Sequence, residues 1–194
     1  MIYFSSDHHF WHTNIIRFCN RPYASIEEMN EMLILNWNNT VKPDDIVYYL
    51  GDFSLATRPV ETVTPRLNGK KFLVPGNHDW AHSYHKKGKK DLAKWKAFYE
   101  SNGWEVLDEQ THIYALSDTH GIHKLNLCHF PKVFEFYDDK YENWRPEPPE
   151  DEILLCGHVH QSWKQRGSCI NVGVDVWEMK PVSISQIFDL INPT

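Results

Sequence analysis

Short apolar runs that stop on polar residues recur along the chain. Ile2–Ser5, Ile46–Leu50, Lys71–Val74 and Ile153–Cys156 have the length and the β-branched or aromatic content of strands. Helical patterns separate the first three. Asn14–Phe18 predicts a short helix broken by Arg21-Pro22. Ser25 with Glu28 three residues later forms a capping box. The helix it opens, about Ile26 to Asn38, places Ile26, Met29, Leu33 and Trp37 on one face. Pro59–Leu67 predicts another helix with Pro59 in its first turn, and Asn68-Gly69 a turn before the next strand. Strand, helix, strand, helix, strand is the pattern of an α/β domain.

Asp91–Asn102 predicts a helix with Leu92, Trp95 and Phe98/Tyr99 inward and Gly103 at its C-terminal cap. From Trp104 the period shortens. Glu105–Leu107, His112–Leu116 and His123–Cys128, with a turn at Asp118-Thr119-His120-Gly121, predict a second, largely antiparallel sheet. His112, His120 and His123 are expected on its surface or across its strands. Phe136–Glu152, acidic and proline-rich, reads as a long surface loop that shapes access to whatever lies beside it. Cys169–Val172 and Val182–Phe188 are two more strand candidates, separated by Gly173-Val174-Asp175. With no repeat and no linker, residues 1–194 are expected to form one domain.

Composition narrows the classes of function. Lys and Arg number 20 against 26 Asp and Glu, a net charge of −6, which argues against a duplex DNA binder but not against a small phosphorylated substrate. The chain enters a strand at once, with no basic leader and no run long enough to span a bilayer, so neither signal peptide nor membrane is expected. Cys19, Cys128, Cys156 and Cys169 show no Cys-x-x-Cys spacing and read as reduced thiols of a cytoplasmic protein. The basic stretch around Gly88 (His85, Lys86, Lys87, Lys89, Lys90) reads as a solvated loop or as an arm that meets phosphate.

Chemistry concentrates where strands end. Leu73-Val74-Pro75-Gly76-Asn77-His78-Asp79 is a strand that turns sharply onto three polar residues, on the sheet edge where open α/β folds bind ligands. Other strands end on Asp7/His9, Asp52, His129 and His158/His160. Strand alternation would put Asp7 and His9 on one side and His8 on the other, and likewise His158 and His160 opposite Val159. If His129 faces the site, Cys128 faces the core. Carboxylate, imidazole and amide oxygen together suit a divalent transition metal, manganese first, with iron, zinc or nickel as alternatives. These ligands exceed the roughly three that one catalytic ion uses, which favours two ions sharing a carboxylate. Asp79 could orient His78, although adjacent side chains often diverge.

The order Asp-x-His, Gly-Asp, Gly-Asn-His-Asp, His, Gly-His-x-His from Asp7 to His160 resembles that of the calcineurin-like metallophosphoesterase superfamily. The resemblance implies an αββα sandwich of two mixed sheets flanked by helices. It implies one metal on Asp7, His9 and His160, a second on Asn77, His129 and His158, and Asp52 bridging them. His78 would be the catalytic histidine that meets the leaving group. Two cations roughly 3.5–4 Å apart would acidify a bridging water for in-line attack on a phosphodiester or phosphomonoester. Leu55-Ala56-Thr57 stands where Ser/Thr protein phosphatases carry Asp-Arg-Gly, which argues against that branch. The opening Asp7–Ile16 with Arg17 and Arg21-Pro22 is similar to the compact bacterial and phage-type members, and makes His12 and Arg17 candidate phosphate contacts. The expected substrate is small and nucleotide-like, with Trp11, Trp80 and Trp163 as packing residues or base-stacking faces. A nuclease, or a non-catalytic scaffold of the same fold, is the alternative.

Overall fold

A computed structural model describes residues 1–117, 121–132 and 140–191. The turn expected at Asp118–His120, and the part of the acidic loop before residue 140, lie outside these residues.

The first sheet has the order β10-β1-β2-β3-β4, with β1 (Ile2–Ser5), β2 (Ile46–Tyr49), β3 (Lys70–Leu73), β4 (Trp104–Val106) and β10 (Val182–Ser183). The first four run parallel and β10 pairs antiparallel to β1. β4, expected in the second sheet, therefore belongs to the first. Helix α4 (Leu92–Ser101) carries the chain back so that the strand returns parallel to β3, in register Lys71↔Trp104.

The second sheet, β5-β6-β7-β9-β8, comprises β5 (Gln110–Ser117), β6 (Gly121–Cys128), β7 (Ile153–Cys156), β8 (Gln165–Arg166) and β9 (Cys169–Asn171). Only its outer pairs are antiparallel; β6, β7 and β9 run parallel. The expectation of a largely antiparallel sheet fails because the segment after His129 is long enough to return the chain to the start of β7. A parallel return needs such a crossover.

Side chains alternate across both sheets. Val47, Tyr49 and Leu73 meet the helix layer, where α2 (Ile26–Thr40) buries Met29, Leu33 and Trp37 fully. The Ser25 hydroxyl caps α2 by accepting the Glu28 N–H at 3.1 Å. Phe4, Leu50 and Val74 face the other way and meet Leu125, Leu127, Leu155 and Ile170 of the second sheet. Each such side chain contributes about 1.5–3 kcal/mol by leaving water. Cys128, Leu154 and Cys156 lie on the outer face of the second sheet with Phe130 and Tyr141. Two mixed sheets flanked by helices result. No helix among the described residues is long and apolar enough to cross a membrane. His112 is exposed beside Tyr114, and His123 packs 5.0 Å from the Phe188 ring.

The strand expected over Val182–Phe188 is only two residues long, and Ile184–Ile191 is helix α5. Ile184, Ile187, Phe188 and Ile191 share a face at helical spacing and join the core between the sheets. The overlooked signal is a second capping box. The Gln186 side-chain oxygen accepts the Ser183 N–H at 3.0 Å, and the Ser183 hydroxyl accepts the Gln186 N–H at 3.3 Å. Ser183→Ala should cost about 1 kcal/mol. The loss should appear as a lower urea midpoint at unchanged slope, with metal uptake unaffected; an unchanged midpoint would show that the cap contributes nothing.

Candidate metal centre

The strand-end loops lie side by side. The Asp7 N–H donates to the Gly51 carbonyl at 3.0 Å, His9 to Asp52 at 3.1 Å and Phe10 to Phe53 at 2.9 Å. The loops after β1 and β2 thus extend their strands' pairing beyond the sheet. The Gly157 N–H donates to the His129 carbonyl at 3.0 Å, and the His158 N–H to Asp7 Oδ2 at 2.9 Å, which joins the loop after β7 to both sheets. Close approach requires glycine at Gly76: a Cβ there would lie 2.8 Å from His129 Nδ1 and closer still to an Asp52 carboxylate oxygen.

Five candidate ligands occupy the left-handed backbone region: Asp7 (φ 59°), His9 (51°), Asp52 (60°), His158 (71°) and His160 (46°). Non-glycine residues pay of order 1–3 kcal/mol each for sparsely populated backbone conformations, which cluster at functional sites. The separation of Asp7 and His9 from His8 therefore comes from these turns rather than from strand alternation. His8 does point away, into Phe10, Trp37 and Tyr49, and burial lowers its pKa to about 3, so it packs as a neutral ring.

Three groups of ligand atoms lie within 4.8 Å among the described residues: Cys19, His160 and Asp175 behind the site, and at the strand ends Asp7, His9 and His160, and Asp7, Asp52 and His129, the last two being the groups of expected ligands. Asp7 belongs to both strand-end groups. Asp52 Oδ2 lies 3.6 Å from His9 Nε2 and 3.4 Å from His129 Nε2, between the groups. The Asn77 side-chain oxygen is 3.1 Å from His129 Nε2. His158 stands further back, its ring 5.2 Å from that of His129 and packed against Phe130 and Tyr141.

The surroundings fit cations. Asp7 Oδ1 and both ring nitrogens of His9 are buried with no hydrogen-bond partner among the described residues. Each such group costs about 1–3 kcal/mol unless something satisfies it. His129 Nδ1 donates to the Leu50 carbonyl at 2.8 Å, leaving Nε2 to face Asp52 and Asn77. His160 Nδ1 meets Asp175 Oδ2 at 3.2 Å. A second partner of this kind fixes ring orientation in metal-ligating histidines. Burial opposes charge on both imidazoles, yet the carboxylates prevail: Asp52 and Asp7 raise His129 to about 9, and Asp175 and Asp7 raise His160 to about 11. Burial likewise opposes ionisation of Asp52, but His129 and His78 beside it hold its carboxyl well below the usual range.

His78 sits on an open cleft, its side chain 46% exposed, with Nε2 3.9 Å from Asp52 Oδ2 and its N–H donating to Asp52 Oδ1 at 2.9 Å. His12 lies beside the site, its ring 5.9 Å from His9. Arg17 lies over Phe18 at 5.7 Å, and Phe18 in turn lies 6.2 Å from the His12 ring. Trp80 packs edge-on against Trp95 at 4.5 Å, and Trp11 is half exposed.

Two supports escaped the sequence reading. Asp79 does not orient His78. Its carboxylate accepts the N–H groups of Asp52 at 2.7 Å, Phe53 at 3.1 Å and Gly76 at 2.8 Å, locking two strand-end loops together. The second support is a buried ion pair of Arg21 and Asp175, with contacts of 2.8 and 2.9 Å. Arg21 also donates to the carbonyls of His8 at 2.7 Å and Asp7 at 2.6 Å. Asp175 follows Gly173 after β9, repeating the strand-then-carboxylate pattern of the other loops, and that was its available signal.

Known proteins place this arrangement. An uncharacterized protein of Methanocaldococcus jannaschii is 34% identical over 98% of this chain and 91% of its own. The Gene 66 protein of Mycobacterium phage L5 is 29% identical over 98% and 93%. A protein of unknown function from Aquifex aeolicus superposes with a TM-score of 0.66 at 26% identity over 98% of each chain. The profile of one family, the calcineurin-like phosphoesterases, matches residues 1–188. The chain belongs to the calcineurin-like phosphoesterase family, whose members are metal-dependent phosphoester hydrolases.

Proposed function

We propose that this protein is a binuclear phosphoesterase acting on a phosphodiester or phosphomonoester of a small, nucleotide-like molecule. The observation that carries this reading is the pair of ligand groups sharing Asp7, with Asp52 Oδ2 between His9 and His129. One group would use Asp7, His9 and His160, the other Asn77, His129 and His158, with Asp52 common to both; manganese suits this oxygen–nitrogen set. Bound there, two divalent cations would activate water and neutralise charge on phosphoryl oxygens.

The remaining steps belong to side chains of the chain itself. Leu50 and Asp175 hold the His129 and His160 rings, and Asp79 holds the loop bearing Asp52, so these ligands are oriented before an ion binds. His78, on the open side of Asp52, holds a proton at Nε2 and passes it to the departing ester oxygen, a step typically worth about 10²–10⁴-fold. His12 and Arg17, on the side of His9, would steady the non-reacting phosphoryl oxygens. The four cysteines are unbridged and buried, which supports placement in a reducing cytoplasm.

Mn²⁺ titration should saturate near two equivalents per chain by calorimetry and elemental analysis; saturation at one would sink the binuclear reading. Asp52→Asn should lose metal and activity together, since removing its charge weakens both groups. His78→Gln should retain both ions while kcat falls little on p-nitrophenyl esters, which leave without a proton, and about 10²-fold on nucleoside esters. Metal loss from that variant would show that its role is misassigned. Asp175→Asn should weaken binding of one Mn²⁺ by about 10–100-fold and leave the other near its wild-type affinity. Equal weakening of both would make the Arg21–Asp175 pair a general scaffold instead.

A further inference from the structure

His78 shares its cleft, about 380 Å³ in volume, with His85, Lys86, Lys89 and Lys140. No carboxylate lines it among the described residues. In a chain of net charge −6 this cationic wall is not a by-product of basic composition. Lys89 Nζ lies 5.1 Å over the Tyr84 ring and Lys140 Nζ 4.8 Å over Tyr141, so aromatic faces steady two of the ammonium groups at the rim. Lys86 and Lys89 are exposed to the solvent from which a substrate arrives. The turn that carries them is held inward at Gly88, whose Cβ position would overlap the His82 carbonyl.

We propose that this cleft is an anion subsite for the leaving group, and that the substrate carries at least one further phosphate beyond the phosphoester that is cut. The inference rests on the phosphoesterase reading above, because His78 marks the leaving-group side. The position of the lysines on the His78 wall, rather than around His12, assigns the extra phosphate to the departing fragment. The volume suits one nucleotide-sized group, near the lower end of small-molecule sites, and not an extended strand. A small molecule bearing two or more phosphates fits both the charge and the size.

The matched pair of adenosine 3′,5′-bisphosphate and adenosine 3′-monophosphate isolates one phosphate. Binding to the Mn²⁺-loaded full-length protein is read by calorimetry, and by competition against bis-p-nitrophenyl phosphate. The bisphosphate should bind about tenfold more tightly, the worth of one well-placed charge-assisted contact. In Lys86→Ala/Lys89→Ala that ratio should collapse towards one, and in Lys86→Arg/Lys89→Arg it should persist. Raising salt should compress the wild-type ratio, since the subsite is exposed. A wild-type ratio near one, or equal weakening of both ligands by the alanine pair, overturns the proposal. So does tighter binding of a short single-stranded DNA than of the bisphosphate, which would make the cleft part of a strand-binding surface. Absence of turnover on every phosphoester would instead remove the phosphoesterase reading, while calorimetry would still report the subsite.

Discussion

Holding strained loops in register is the constraint on which the rest of this molecule depends. The ligand-bearing loops leave the sheets through left-handed turns that an isolated chain would not populate. Two buried polar side chains hold them there. Asp79 gathers three N–H groups from the loops after β2 and β3, and Arg21 gathers the carbonyls of Asp7 and His8. One clamp is a carboxyl group that collects donors, its pKa pushed up to about 7 by burial and the nearby Asp52, and the other a cation that collects acceptors. Each satisfies backbone groups that the turns remove from regular pairing, groups that would otherwise be buried alone.

The parallel topology makes such clamps possible. Because β1, β2 and β3 run the same way, their loops emerge on one edge, and β6 and β7 of the second sheet deliver His129 and His158 to the same place. The core between the sheets fixes how close the two edges come. Phe4, Leu50 and Val74 stand immediately before loops that carry ligands, so packing of the sandwich and spacing of the site are one problem. Metal affinity in this protein is therefore a property of the sandwich as much as of the ligands.

Much of this was legible in the sequence, for identifiable reasons. Strands that end on Asp, Asn and His announce themselves because apolar runs and ligand types are both local signals. What escaped was non-local or short. β4 looked like the start of a second sheet because its three residues carry no mark of which neighbour they pair with. Alternation of Val182 and Ile184 with Ser183 and Ser185 resembled a strand until the reciprocal Ser183 and Gln186 bonds set a helix. Asp79 and Asp175 were visible as residues but not as clamps, since their partners lie 26 and 154 positions away. Strand alternation predicted the right side for His8 through the wrong backbone.

The left-handed turns also bear on which replacements the centre tolerates. Asparagine, aspartate and histidine are the side chains, apart from glycine, that adopt this backbone region most readily. Asp7, His9, Asp52, His158 and His160 all stand there. An exchange among those three residue types alters the donor atom and spares the turn, whereas a β-branched residue disturbs donor and turn together. Ligand chemistry and chain geometry thus share the same positions, and only a narrow alphabet of residues changes one without the other.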